Sequence, residues 1–162
     1  MSRIELPCGR VALIDDSDML LLAGRVWRSD VRKNCVYVRG YIAGVPGSSG
    51  AVYLHNLLLG GRADHRDGDG LNCQRSNLRL CSHLENMRNY GPKRGRQFKG
   101  VHYNRGQDSY YAQIKIRGKT ISGGRTTKTP EEAAKLYDAL ALEHFGEFAW
   151  LNFPPEGWVQ NA

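Results

Sequence analysis

Residues 63–89, ADHRDGDGLNCQRSNLRLCSHLENMRN, form the densest run of polar, potentially chemical side chains in the chain, and they lie in its middle. Its Asp, His and Asn side chains are a constellation rather than a lone motif. The 162 residues are enough for one ordinary domain or two small ones sharing little core. No apolar run approaches the roughly 18 to 20 residues of a membrane span. The N-terminus, MSRIELPCGR, has no apolar h-region, so a secretory signal is not expected and the reducing cytoplasm is the default compartment. Cys8, Cys35, Cys73 and Cys81 contain no C-x-x-C pair, which argues against a zinc ribbon and against a disulfide framework; all four read as small packing residues.

Three regions separate on composition. Residues 1–50 hold short β-branched stretches, Arg10–Ile14 and Cys35–Ile42, around one small helical pattern from Asp15 through Ala23, and they read as a β-rich support without chemistry of its own. Gly44–Gly50, GVPGSSG, reads as a turn or short linker. Residues 51–90 open with a short helix whose Leu54, Leu57 and Leu58 share a face and which Gly60 ends. The polar run then reads as a strand, a Gly/Asp/Asn loop, a strand at Leu78–Cys81 and a helix whose start is the capping box Ser82-His83-Leu84-Glu85. Residues 91–97 are a Gly/Pro/basic linker, and 98–153 read as strands at Gly100–Tyr103, Tyr110–Ile116 and Lys119–Ser122 followed by a helix. That helix opens with Thr129-Pro130-Glu131-Glu132, stops at Gly146 and repeats Ala133, Leu136, Tyr137, Leu140 and His144 on one face. Residues 154–162 are left as a C-terminal tail, and the fold class is α+β.

Charge is segregated along the chain. Between Arg88 and Lys128 there are 11 Lys/Arg against the single acid Asp108, a net of +10, whereas the other residues carry 12 basic and 15 acidic groups, a net of −3. A basic segment interleaved with Phe98, Tyr103, Tyr110 and Tyr111 has the footprint of a polyanion-binding face, with nucleic acid the expected partner. Alternation puts Tyr111, Gln113 and Lys115 on one strand face and Ala112, Ile114 and Ile116 on the other.

The polar run supplies what phosphodiester hydrolysis needs. A histidine accepts a proton from water near neutral pH, and Asp and Asn oxygens suit a hard cation that neutralises phosphate and leaving oxygen. Asp67 and Asp69 flank glycines and read as turn formers, because a complete calcium ladder with a closing glutamate is missing. His55 either touches phosphate or packs. Arg75, Arg79 and Arg88 are candidate phosphate contacts.

In residue type and spacing the run resembles the HNH (His-Me finger, ββα-metal) nucleases. The resemblance implies Asp64 and Asn86 as ligands of one divalent cation, Mg²⁺ with Mn²⁺ as the alternative and no zinc, His65 as general base and Asn77 as the catalytic loop's brace. Many relatives carry histidine where Asn86 stands, and asparagine is also a family pattern. Asp64 and His65 are neighbours, so both serve one site only where the strand breaks, for which Gly68 and Gly70 are placed.

The third region, FKGVHYNRGQDSYYAQIKIRGKT with KTPEEAAKLYDALALEHFGEFAWLNFP, resembles the APETALA2/ethylene-response-factor DNA-binding domain. That likeness implies a three-stranded sheet in the major groove, with contacts at Lys99, His102, Asn104, Tyr110, Gln113 and Lys115. The basic residues Lys93, Arg94, Arg96, Arg105 and Arg117 join the expected DNA face. Strict alternation puts Tyr110 opposite Gln113 and Lys115, so it stands either as a groove contact or as a core aromatic.

The two resemblances together imply a metal-dependent endonuclease of homing or free-standing phage type, acting on double-stranded DNA in the (host) cytoplasm. One site per chain favours nicking by a monomer or weak dimer, with no membrane partner. The rival readings are a DNA-binding regulator with an inactive finger and, further off, an RNA-binding or structural phage protein.

Overall fold

The computed structural model describes residues 1–32, 35–42 and 50–160. The expected GVPGSSG linker lies outside the described residues apart from Gly50. The architecture is α+β, with four small antiparallel sheets and short helices, and the chain divides into two compact units, Met1–His83 and Leu84–Gln160.

In the first unit β1 (Ser2–Glu5) and β2 (Val11–Ile14) form a hairpin, and a 3-10 turn over Asp16–Leu22 occupies the expected helical pattern. Strands β3 (Arg25–Val31), β4 (Val36–Ile42) and β5 (Val52–Tyr53) follow in the order β3-β4-β5. Helix α1 (Leu54–Leu59) buries Leu54 and Leu58 and ends at Gly60 in the left-handed region. Then come β6 (Ala63–His65) and β7 (Leu78–Leu80), paired antiparallel, and the chain runs on into α2 (His83–Arg88), which begins directly after Ser82. The core is Leu6, Ala12, Ile14, Trp27, Val38, Leu54, Leu58, Cys73 and Leu78.

The second unit is a three-stranded meander, β8 (Val101–Asn104), β9 (Ser109–Ile116) and β10 (Lys119–Thr127), covered on one face by α3 (Pro130–Phe145). β10 runs five residues beyond the expected Ser122, because an irregularity between Ser122 and Thr126 lets pairing resume at Tyr111 and Tyr110. Thr129 caps α3 by accepting from the Glu132 amide at 3.3 Å. The buried stripe of α3 is Ala133, Ala134, Tyr137, Asp138 and Ala141, while His144, expected on it, is exposed. An acid belongs to the stripe because it is saturated there. Asp138 accepts from the Asn152 amide (2.7 Å), Asn152 Nδ2 (3.1 Å) and the Phe153 amide (2.8 Å). Asn152 Oδ1 in turn accepts from the Lys99 amide at 2.8 Å, so the LNFP segment latches α3 to the approach to β8. Gly100, next to that latch, has φ 72° and a Cβ there would lie 1.9 Å from the Tyr137 ring, so only glycine fits.

Residues 91–97 lie within the second unit. The last residues pack as well, since Gln160 exchanges 2.7 Å hydrogen bonds with both backbone groups of Leu151. Among the described residues no helix is long and apolar enough to cross a membrane.

Replacing Asn152 by alanine strips the latch of both its side-chain donors and its acceptor. The expected cost is about 1–3 kcal/mol, read as a lower urea midpoint for the second unit with an unchanged slope.

Candidate functional site

The polar run folds as β6, a 12-residue connection from Arg66 to Asn77, and β7. Two three-residue strands cannot hold a long loop by pairing alone, and the loop is fixed by its own side chains. Asn77 Nδ2 donates to Asp67 Oδ1 and to the Asn72 carbonyl, both at 2.8 Å, while its Oδ1 accepts from the Asp67 amide at 3.2 Å. Asp67 and Asp69 each receive the amide two residues on, from Asp69 (2.8 Å) and Leu71 (2.9 Å), as Asx turns do. The loop is also stitched to β2, since Leu13 donates to the Leu71 carbonyl and Cys73 to the Leu13 carbonyl, both at 2.9 Å. Gly70 passes so close to β4 that a Cβ would sit 2.3 Å from the Val36 carbonyl oxygen and 2.7 Å from the Tyr37 ring.

The strand break expected to turn Asp64 and His65 toward one site does not fall between them: both lie in the regularly paired β6 and point to opposite sides of it. Asp64 faces its cross-strand partner Arg79, whose NH2 and Nε lie 2.9 and 3.2 Å from Oδ2, and both residues are buried. Arg79, expected on phosphate, is thus committed to Asp64 inside the first unit. His65 shares its face with Leu78 and is only 3% exposed. Its ring meets His55 edge-on at 4.6 Å and Tyr37 at 5.9 Å, and its Nε2 is 3.7 Å from Cys73 Sγ. Burial pulls the His65 pKa down to about 4 even though Asp67 and Asp69 push it up, so the ring is neutral at pH 7. Burial also raises the Cys73 thiol to about 12, which keeps it protonated beside that ring.

Of the two alternatives for His55, the structure supports packing. The residue is buried on α1, stacked on Tyr53 at 5.4 Å, with Nδ1 lacking a hydrogen-bond partner. Desolvation, reinforced by His65, lowers its pKa to about 3. Arg75 forms a two-point ion pair with Asp18 at 2.7 and 2.9 Å.

Asn86 lies half-buried on α2, in the second unit. Among the described residues no group of three or more His, Cys, Asp or Glu side chains converges as a metal cluster. The donors implied by the resemblance are one carboxylate and one amide oxygen. Both are oxygen donors of the kind a hard cation takes.

In the second unit the register of β8 and β9 sorts the expected DNA contacts by face. His102 pairs with Tyr111 and Asn104 with Ser109, which puts His102, Asn104, Tyr111, Gln113 and Lys115 on the side away from Ala112 and Ile114. Tyr110 pairs with Tyr103 on the opposite side, their rings 5.1 Å apart, so Tyr111 and not Tyr110 belongs to the polar face. Tyr111 stacks on His102 at 5.4 Å. Lys93, Arg94, Arg96, Arg105, Lys115 and Arg117 are exposed. Lys99 is turned inward, where Nζ donates to the Arg88 and Tyr90 carbonyls, both at 2.6 Å. The Arg88 guanidinium lies 4.5 Å over the Phe145 ring.

Sequence reasoning missed the Asp64–Arg79 pair and the place of Tyr37 beside His65. The first was accessible from the hairpin register, because Asn77 just before β7 sets residues 64 and 79 opposite one another. The second had no local signal, since residues 37 and 65 meet only through the fold.

Linkage gives the first unit a defined pH response. His55 and His65 titrate lower in the folded than in the unfolded chain, whose histidines titrate near 6.5, so their stabilisation is complete above pH 6.5 and is lost as pH falls toward 4. Melting temperature should drop by roughly 5 °C or more between pH 7.5 and 4.5, and His55→Phe, which keeps the stacking on Tyr53, should flatten that drop.

No protein-family model matches the chain, and no solved structure gives a significant match. The chain is 32% identical over 103 residues to a protein of Acanthamoeba polyphaga mimivirus named an uncharacterised HNH endonuclease, a match that takes in 60% of this chain and 53% of that protein. The chain therefore spans about half the length of this curated relative. In this chain an Asp-His pair closes the first strand of a hairpin that leads into a helix.

Proposed function

We propose that this chain is a metal-dependent DNA endonuclease of the HNH type, nicking duplex DNA and targeted by its second unit. The observation that carries the reading is the order along the chain of β6 ending in Asp64-His65, a loop braced by Asn77, β7, and α2 bearing Asn86. The His65 imidazole, neutral at pH 7, accepts the proton of a water that attacks phosphorus, and Asn77 holds the loop that follows His65. In this reading Asp64 and Asn86 would hold the cation, Mg²⁺ or Mn²⁺, with Arg79 paired to the Asp64 carboxylate, and the cation would supply positive charge to the phosphate and the leaving 3′ oxygen. The products are a 5′-phosphate and a 3′-hydroxyl.

The second unit is read as an APETALA2-type module, with His102, Asn104, Tyr111, Gln113 and Lys115 toward the duplex and the exposed Lys93, Arg94, Arg96, Arg105 and Arg117 on phosphates. One specific observation favours a second reading, an inactive DNA-binding regulator. His65 is almost wholly buried, and Asp64 is locked to Arg79.

Supercoiled-plasmid conversion separates the two. With Mg²⁺ the wild type should yield open circles, EDTA should stop it, and His65→Ala should lower the rate by about 10²-fold or more while still shifting DNA on a gel. Cleavage retained by His65→Ala removes His65 as the base, and intact DNA in every lane, with binding preserved, favours the regulator.

The two lysines should behave differently. Lys115→Gln should leave stability unchanged and reduce the salt slope of binding by about 1, whereas Lys99→Gln should lower the melting temperature of the second unit because it uncaps the end of α2.

A further inference from the structure

The β3-β4-β5 sheet of the first unit turns one face toward the core and the other away from it. Trp27, Val38 and Gly40 point into the core, so the alternate residues of β3 and β4 point the other way. On that side Arg28 stands directly opposite Arg39 in the antiparallel register. Two like charges at facing positions repel one another, and an arrangement that costs stability asks for a compensating anion.

The surroundings do not supply one. Among the described residues Arg28 has no acidic partner and is exposed. Asp30, on the same face, spends Oδ2 on the Tyr53 hydroxyl (2.7 Å) and on Arg32 (2.8 Å), and Arg39 reaches the same oxygen only at 4.0 Å. The patch therefore holds three guanidinium groups against one carboxylate. Arg39 is held in place by aromatic rings, its guanidinium 5.4 Å from the Tyr41 ring and 5.6 Å from the Tyr53 ring, and its side chain remains 29% exposed. An aromatic-backed Arg39 beside an exposed Arg28, with one shared carboxylate too few to neutralise them, fits phosphodiester oxygens.

The face also leads to the candidate base within the same unit. Tyr53 stacks on His55, Tyr37 touches Tyr53 and His55, and both Tyr37 and His55 touch His65. We propose that the Arg28–Arg39 pair on the outer face of the β3-β4-β5 sheet is a second DNA-binding site, gripping backbone phosphates of the duplex beside His65. The partner is duplex DNA, and the placement beside the base rests on the nuclease reading above.

The test is binding of the full chain to a short duplex DNA in EDTA, followed by anisotropy over about 50 to 200 mM salt. Arg28→Gln with Arg39→Gln should lower the slope of log K against log salt by about 2, and Lys at both positions should restore most of it. In the free protein the glutamine variants should melt at the same or a higher temperature, because a repulsive pair is gone. An unchanged slope overturns the proposal, as does a loss of affinity for an RNA duplex without one for DNA. A lower melting temperature in both the glutamine and the lysine variants overturns it as well, since that marks a structural role. The assay contains no metal and reads no cleavage. A plasmid that stays intact in Mg²⁺ beside an arginine-dependent slope removes the nuclease reading alone, and cleavage with an unchanged slope removes this site alone.

Discussion

A hairpin of two three-residue strands has too few ladder hydrogen bonds to stand alone, yet it carries the residues with the most chemistry in the chain. What holds it is the polar network of the loop it encloses. Asn77 closes that loop onto Asp67 and Asn72, and the backbone of Leu71 and Cys73 is shared with Leu13 of β2. The side chains of Asp67, Asp69 and Asn77 are spent on groups of the loop itself, which is why the run can be polar and still be ordered. Cys73 and Leu78 then anchor the hairpin in the apolar core of the first unit.

The two neighbours at the end of β6 meet opposite environments because a strand alternates its faces. Asp64 is stabilised by a buried ion pair, which costs desolvation of both partners and is secure only while both are present. His65 enters an aromatic cluster in which desolvation favours the neutral ring. The same alternation produces the outer face of the β3-β4-β5 sheet, where Arg28 stands opposite Arg39 and the carboxylate of Asp30 is shared between Arg32 and Arg39. Polar order in the first unit is therefore concentrated on the edges of small sheets, and the apolar residues fill one modest core.

The second unit solves its packing by a different device. A meander with one apolar face needs a cover, and α3 supplies it with small residues, alanines at 133, 134 and 141, that bring the helix close to the sheet. Close approach leaves no room for a side chain at Gly100, and it buries Asp138, which the LNFP segment saturates. The outer face of the sheet is left to polar and basic residues, and the exposed arginines of the turns extend it.

Much of this was legible in the residues. The start of α2 after Ser82, the Thr129 cap of α3, the stops at Gly60 and Gly146, the apolar and polar faces of β9 and the segregation of positive charge all follow from local rules that act within a few residues. Contacts between distant segments were not legible, because their partners are selected only when the chain closes. Tyr37 beside His65, Lys99 on the end of α2 and Asp138 in the buried stripe in place of His144 are decisions of this kind. The sequence by itself determined which side chains exist to bind, ionise or accept a proton. The tertiary structure decided which of them are spent on one another, since a charge or donor taken out of water must find its partner wherever the fold has put one.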